Sequence, residues 1–181
     1  LSAALKENHI NCQVIDANLE GLLFLIESDL TPKDSWGRRA LKNREAIISD
    51  LKDPALYSNM DRYHQRVYDL NKLLSLSVDT SRYKVTLSDY ADKRLSSVSS
   101  KDLLKSASTC EENPFYRYFE NRLGDIITSS DSAYVGLSLC YLNQALVTFA
   151  LAGWIKKRFS TKKLIMGGGL VSSWMARSDL S

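Results

Sequence analysis

The sequence feature that most limits the fold of this chain is a run of 22 residues without a charged side chain, from Tyr134 to Ile155. At a rise of about 1.5 Å per residue, a helix of this length spans a bilayer, so a transmembrane segment is one interpretation. The run also contains two glycines and the adjacent amides Asn143 and Gln144, and amide side chains are costly in lipid. A buried strand that leads into a buried helix fits this composition better, so we predict no membrane span.

Short strand-like segments recur near the two ends of the chain, and helical patterns separate them. The runs 134–139 and 164–166 are apolar and have the length of a strand, while residues 10–16 alternate apolar and polar side chains. Short apolar strands joined by helices are typical of a parallel sheet that is covered on both faces. We therefore predict an α/β fold with a parallel sheet.

The middle of the chain has mostly helical patterns. Apolar residues recur at helical spacing, for example over 57–76, and alternation over 83–87 indicates one short strand. The middle is long for a crossover between two strands of one sheet. We therefore predict that residues 1–26 and 128–181 form an α/β domain and that residues 27–127 form a large, mostly helical insertion.

The first residues of the chain have the pattern of a helix already in progress. Leu1, Ala4 and Leu5 share one face of that helix, and no N-cap residue precedes them. The other end, at residues 178–181, stops without a closing element. Both features predict that the chain is part of a larger protein.

Composition and charge are those of a globular protein and do not favour nucleic-acid binding. Hydrophobic residues make up 44% of the chain and charged residues 25%, which is ordinary for a globular protein. The formal net charge of +3 is too small for the concentrated basic face that nucleic-acid binding requires. Five basic residues cluster near the end of a predicted helix, where they either face water or form an anion site: Lys156, Lys157, Arg158, Lys162 and Lys163.

The cysteines and histidines do not predict a metal site. Cys12, Cys110 and Cys140 are far apart in the sequence, and none forms a CxxC pair or another metal-ligand spacing. Only two histidines are present, His9 and His64. Reduced and mostly buried thiols are typical of a cytoplasmic protein, so we expect a cytoplasmic location and no metal bound by this chain.

The best candidate binding site lies where the predicted strands end. Gly136 and Ser138 belong to the end of one strand, and Gly167 and Gly168 follow the next. Ligands of open parallel sheets bind outside the carboxyl ends of the strands, and glycine there lets a ligand approach the backbone. Asp16 ends the strand predicted over 10–16 and would reach a ligand hydroxyl. The alternative is that the glycines form ordinary tight turns and that Asp16 caps a helix.

Four common catalytic and phosphate-binding motifs are missing from the sequence. It contains no GxxxxGK[ST] loop, no GxGxxG fingerprint, no GxSxG nucleophile elbow and no HExxH motif. His64 lies in a helical stretch with no nucleophile beside it in the pattern. We therefore predict no catalytic residue in this chain.

Segments at both ends of the chain resemble the cobalamin (B12)-binding module found at the front of many radical-SAM proteins. Residues 1–7 and 12–18 resemble its first helix and second strand. Residues 134–144 and 150–156 resemble its third strand and following helix, and residues 163–169 resemble its fourth strand and glycine loop. The resemblance implies a flavodoxin-like (Rossmann-type) parallel sheet whose first strand lies upstream of Leu1 and is missing from the chain.

The resemblance also implies a ligand and a role. The nucleotide tail of cobalamin would enter the sheet beside Gly136, Ser138, Gly167 and Gly168, with the corrin ring over the carboxyl edge. The parent protein would be a radical-SAM enzyme, a methyltransferase whose substrate cannot be read from these residues. Its S-adenosylmethionine site and 4Fe–4S cluster would lie in a downstream domain of the same chain, because the CxxxCxxC motif that holds such a cluster is missing here.

Two departures from the family leave alternatives open. The DxHxxG motif of modules that bind cobalamin through histidine is missing, and Cys140 occupies a position that is apolar in better-known modules. One alternative is a vestigial cobalamin fold that acts as a structural or interaction domain without the cofactor. Another is a flavin- or nucleotide-binding regulator with the same fold, although the sequence shows no phosphate loop for it.

Overall fold

A computed structural model describes the backbone of residues 2–178 and the side chains of residues 5–176. The described part is a mixed α/β structure in which helices predominate. The α-helices are α1 Ser2–Glu7, α2 Ala17–Glu27, α3 Ser35–Lys42, α4 Arg44–Lys52, α5 Met60–Leu76, α6 Ser100–Ser108, α7 Tyr116–Tyr118, α8 Gly124–Ser129, α9 Ala145–Arg158 and α10 Gly169–Ser178. Short 3₁₀ segments at Pro54–Ser58, Cys110–Glu112 and Leu142–Gln144 and a π-helical turn at Phe119–Leu123 connect some of them.

Within residues 2–178, four strands form two separate pairs. Strands β1 (Tyr83–Val85) and β2 (Tyr90–Asp92) form an antiparallel hairpin. Strands β3 (Tyr134–Ser138) and β4 (Lys163–Gly167) pair in parallel, and α9 makes the crossover between them. The predicted α/β class with parallel strands is therefore confirmed in part. The described residues contain one β–α–β unit, and its two strands form a parallel sheet.

The long uncharged run folds as a strand followed by a helix, as its polar residues predicted. It forms β3 and then α9, in which Ala150, Leu151 and Trp154 are buried. Among residues 2–178, no helix has both the length and the hydropathy that a bilayer span requires.

The strand predicted over residues 10–16 is not observed. These residues connect α1 to α2 and belong to no ladder among the described residues. Asp16 is the N-cap of α2, and its carboxylate accepts the N–H of Leu19 at 3.0 Å. Alternation alone does not form a strand, because the backbone groups of a strand need a neighbour to pair with.

One hydrophobic core joins the two ends of the chain to its middle. Ile26 of α2, Ile47 of α4, Leu73 of α5 and Trp154 of α9 are all buried in it. The segment predicted to be an insertion therefore shares its core with α2 and α9. Helix α9 also packs closely on α6, where Ser106 Oγ donates a buried hydrogen bond of 2.8 Å to the Leu146 carbonyl.

The parallel sheet has one covered face and one open face. Val135, Leu137 and Leu164 lie on the inner face and pack against the main core. Tyr134 and Ile165 lie on the outer face, where they are 54% and 56% exposed. Because side chains alternate along a strand, the remaining outer-face positions are Gly136, Ser138, Lys163 and Gly167.

Candidate functional site

The structure brings together four of the five predicted site residues at the carboxyl end of β3 and β4. Ser138 and Gly167 are direct register partners on the two strands, and Gly136 lies opposite Ile165. The ladder continues one residue further, because the Leu139 N–H donates to the Gly167 carbonyl at 2.7 Å. Gly136, Ser138 and Gly167 therefore share the outer face of the sheet beside the Gly168 turn.

The space above this face is open. A Cβ atom built at Gly136 or at Gly167 meets no heavy atom within 4 Å. Met166 lies on the inner face, partly buried against a small cluster that contains the fully buried Leu139. Tyr141 is 68% exposed. Tyr141 does not come within 4 Å of a Cβ atom built at Gly136 or at Gly167, and Met166 does not at Gly136, so a flat or extended ligand has access to the backbone here.

Gly168 joins the two strand ends to the start of α10. Its φ of +108° lies in the region that L side chains rarely adopt, and a Cβ atom there would overlap the backbone of Leu139. Two backbone hydrogen bonds stabilise the loop. Leu170 N–H donates to the Leu139 carbonyl at 3.2 Å, and Ser172 N–H donates to the Gly168 carbonyl at 3.0 Å. A glycine is required here for the geometry of the loop itself.

Cys140 adds a reactive group that the sequence did not predict as functional. Its side chain is exposed, and its Sγ atom lies 3.6 Å from Ser138 Oγ. A hydrogen bond from the backbone N–H of Gly169 lowers the pKa of the Cys140 thiol, and the contact with Ser138 lowers it further. Because Gly169 begins α10, the hydrogen bond between Gly169 and Cys140 forms only when the ends of β3 and β4 are adjacent. No sequence motif predicts it.

Asp16, the fifth predicted site residue, lies in a different structural context. Its carboxylate caps α2, as the alternative interpretation of the sequence predicted. No hydrogen bond described in the structure joins Asp16 to the residues at the ends of β3 and β4. Its observed role is therefore to stabilise the first turn of α2.

The comparisons with known proteins do not assign the chain to a family. Protein-family models, curated proteins and solved structures were all compared with the chain, and none matches it. Within the part of the chain that the structure describes, no three His, Cys, Asp or Glu side chains group in a way that would hold a metal ion. The geometry at the ends of β3 and β4 is the main observation that bears on function.

Proposed function

We propose that this chain is a cobalamin-binding-type domain of a B12-dependent radical-SAM protein, a methyltransferase whose substrate the residues of this chain do not reveal. The observation that supports the proposal is the open outer face on which Gly136, Ser138 and Gly167 lie together at the carboxyl ends of two parallel strands. The finer fold, a flavodoxin-like sheet that contains β3 and β4 as neighbours, is part of the same proposal. So is a cytoplasmic location.

The residues of the site fit a nucleotide-like tail. The positions above Gly136 and Gly167 are empty, so a planar or extended group can lie against the backbone there. The Ser138 hydroxyl is exposed and both donates and accepts hydrogen bonds. The Gly168 turn holds the start of α10 beside the same edge. When bound, cobalamin supplies the chemistry of methyl transfer, and this chain supplies binding and orientation.

The rest of the proposed activity belongs outside the chain. S-adenosylmethionine and a 4Fe–4S cluster would be held by a downstream radical-SAM domain of the parent, because no CxxxCxxC motif occurs here. The chain by itself is then a binding domain and not a catalyst. The downstream domain would be its natural partner, with the carboxyl edge of β3 and β4 facing the reaction site.

A cobalamin titration of the purified chain tests the proposal. We expect hydroxocobalamin to bind at micromolar concentration. Equilibrium dialysis measures this binding, with the corrinoid absorption of the retained fraction as the signal. Gly136→Val places a branched side chain in the open space and should abolish uptake. It should not lower the melting temperature, because a β-branched residue favours a strand.

Gly124→Ala is the matched control for that titration. A Cβ atom at Gly124 makes only ordinary contacts, the nearest at 3.6 Å, and the residue begins α8 outside the sheet. This variant should bind cobalamin as the wild type does. The proposal is wrong if the wild type takes up no cobalamin, or if Gly136→Val binds it with unchanged affinity.

The second candidate function is an interaction or structural domain that has lost the cofactor. The exposure of Tyr134 and Ile165 on the outer face favours it, because neighbouring exposed apolar side chains are typical of a contact surface. The titration separates the two functions. The interaction function would be supported by two results together. The folded chain would bind no cobalamin, and its Tyr134→Ser variant would no longer associate with the remainder of the parent protein.

A further inference from the structure

We propose that a small pocket at the amino end of the parallel sheet binds a free α-amino acid with a small side chain, such as glycine or alanine. Helix α8 leads into β3 and α9 leads into β4, so this pocket lies at the opposite end of the sheet from the proposed cobalamin site and does not depend on it. Its charged, polar and aromatic lining residues are Glu120, Asp125, Thr128, Trp154, Arg158 and Phe159.

The size and the walls of the pocket limit its ligand. Its volume is about 120 Å³, well below the roughly 300 Å³ at which pockets for drug-sized molecules begin. Its walls come from residues 120–159, all of which the structure describes. Part of the wall is the π-helical turn Phe119–Leu123, and such turns are frequent at functional sites. The ligand therefore has to be a molecule of few atoms.

Opposite charges line the pocket without pairing with each other. Arg158 is exposed at the end of α9 and forms no ion pair or hydrogen bond with another described side chain. Asp125 has no such partner in the described part of the chain either. The Tyr116 hydroxyl donates to Glu120 Oε1 at 2.9 Å, which leaves the other oxygen of that carboxylate available. A pocket that keeps a guanidinium apart from two carboxylates matches a ligand that carries both charges.

Arg158 differs from its basic neighbours near the end of α9. Lys157 Nζ lies 2.8 Å from Glu111 Oε1, and Lys162 Nζ donates to two backbone carbonyls at 2.7 and 2.8 Å. The basic residues of this segment therefore do not form one common anion site. Arg158 is the member of the cluster that lines the pocket.

The indole N–H of Trp154 is also available to a ligand. Trp154 is only 3% exposed, and within the described residues its N–H donates to no acceptor. It is not sealed from solvent, because Asn143 Oδ1 is the side-chain atom found both sealed and unpaired in the described part. Atoms Cζ2 and Cη2 of Trp154 lie 3.8 and 3.9 Å from a Cβ atom built at Gly124, another lining residue. Cζ2 belongs to the N–H edge of the indole, so that edge faces the pocket.

These groups match the two ends of an α-amino acid. A guanidinium such as that of Arg158 binds a carboxylate through two parallel hydrogen bonds, and the Trp154 N–H adds a third donor. The ammonium group then lies towards Asp125 and the available oxygen of Glu120. The rings of Trp154 and Phe159 attract a cation as well. The small volume leaves room for little more than a methyl side chain.

An NMR titration of the whole chain with glycine tests the inference. The chain has three tryptophans, and the indole signal that disappears in Trp154→Phe belongs to Trp154. If that variant fails to fold, Trp36→Phe and Trp174→Phe assign the signal by elimination. Glycine and L-alanine should shift it at millimolar concentration. Acetate and methylammonium each carry one of the two charges and should bind at least about tenfold more weakly, because hydrogen bonds to charged groups contribute most.

Two charge-removing variants of α9 form a matched pair for the titration. Arg158→Gln should weaken glycine binding at least about tenfold. Lys156→Gln removes the same charge from an exposed residue outside the lining and should leave binding unchanged. Cobalamin uptake should be equal in both variants.

Asp125→Asn separates a site for amino acids from a site for anions. It should weaken the binding of glycine and leave that of acetate unchanged, because only glycine carries an ammonium group. Three results would each overturn the inference: a Trp154 signal that glycine never shifts, acetate that binds as tightly as glycine, or equal weakening by Arg158→Gln and Lys156→Gln.

Discussion

The backbone of Leu139 lies directly against Gly168, where a Cβ atom would overlap the Leu139 carbonyl group. Leu139 is itself fully buried, so it has little room to move. Gly168 also has a positive φ of 108°. This contact holds together the ends of β3 and β4, and with them Ser138, Gly167 and the start of α10.

We expect Gly168→Ala to destabilise the chain by about 1–3 kcal/mol, because overlap and an unfavourable φ both act against the new side chain. Urea unfolding measures the change. Gly169→Ala is the matched control, since a Cβ atom at the neighbouring Gly169 meets nothing within 4 Å. Equal stability of the Gly168→Ala and Gly169→Ala variants would contradict the observed contact.

Cys140 should react with thiol reagents at lower pH than an ordinary cysteine. Donation from the Gly169 N–H, followed by the contact with Ser138, lowers the pKa of its thiol below the usual value of 9.0. The rate of iodoacetamide alkylation against pH, read by mass spectrometry of the peptide that contains Cys140, measures that pKa. Ser138→Ala removes the second contribution and should move the profile to higher pH.

Cys110 is the internal control for this experiment. It is buried, and burial raises the pKa of its thiol, so it should stay unmodified until the chain unfolds. If Cys140 is alkylated with the pH profile of an ordinary thiol, the contact between its Sγ atom and the Gly169 N–H is wrong.

The β3–α9–β4 unit was predictable because its signals are local. The uncharged run from Tyr134 to Ile155 is long, and its polar residues mark the change from strand to helix. Residues 10–16 have an equally clear alternation, yet a strand exists only where another strand pairs with it, and no such neighbour occurs among the described residues. A pattern within one segment carries no information about that neighbour.

The same distinction applies to the candidate site. Ser138 and Gly167 were predictable because each ends a recognisable strand, and Gly136 because it lies two residues before Ser138 in the same strand. The contacts of Gly168 with Leu139 and of Cys140 with Gly169 join residues about 30 positions apart in the sequence, and only the parallel pairing of β3 with β4 brings them together. Those contacts give the site its rigidity and its reactive thiol.

The buried ion pair of the β-hairpin should be important for stability. Arg82 Nε donates to Asp92 Oδ2 at 3.0 Å, and the Asp92 carboxylate is only 3% exposed. Arg82→Met leaves that carboxylate without its charged partner, which costs about 3–5 kcal/mol when a buried pair is broken. Urea unfolding of the variant measures the loss.

The exposed pair of the same hairpin provides the control. Lys84 Nζ lies 3.0 Å from Asp89 Oδ2, and both side chains are well exposed. Lys84→Met should change the free energy of unfolding by less than about 1 kcal/mol, because water screens an exposed pair. Similar losses for Lys84→Met and Arg82→Met would show that the burial of Asp92 has no influence.

Asp50 should make the stability of the helical part depend on pH in acid. Its carboxylate accepts from Arg66 Nε at 2.6 Å and from an Nη atom of Arg62 at 3.1 Å, which ties α4 to α5. The hydrogen bond from Arg66, then that from Arg62, lowers the pKa of Asp50 below its usual 3.8. A carboxyl group whose pKa is lower in the folded state stabilises the fold above its unfolded pKa, and this contribution is lost as the pH falls.

Asp50→Asn should therefore lower the melting temperature at neutral pH, and its difference from the wild type should shrink as the pH falls below about 3.8. Circular dichroism melts over a series of pH values measure this difference. Arg66→Met removes the stronger partner and should reproduce most of the effect, while the exposed Val98→Ala should follow the wild type at every pH. A difference that stays constant down to strongly acidic pH would mean that Asp50 contributes through packing and not through its charge.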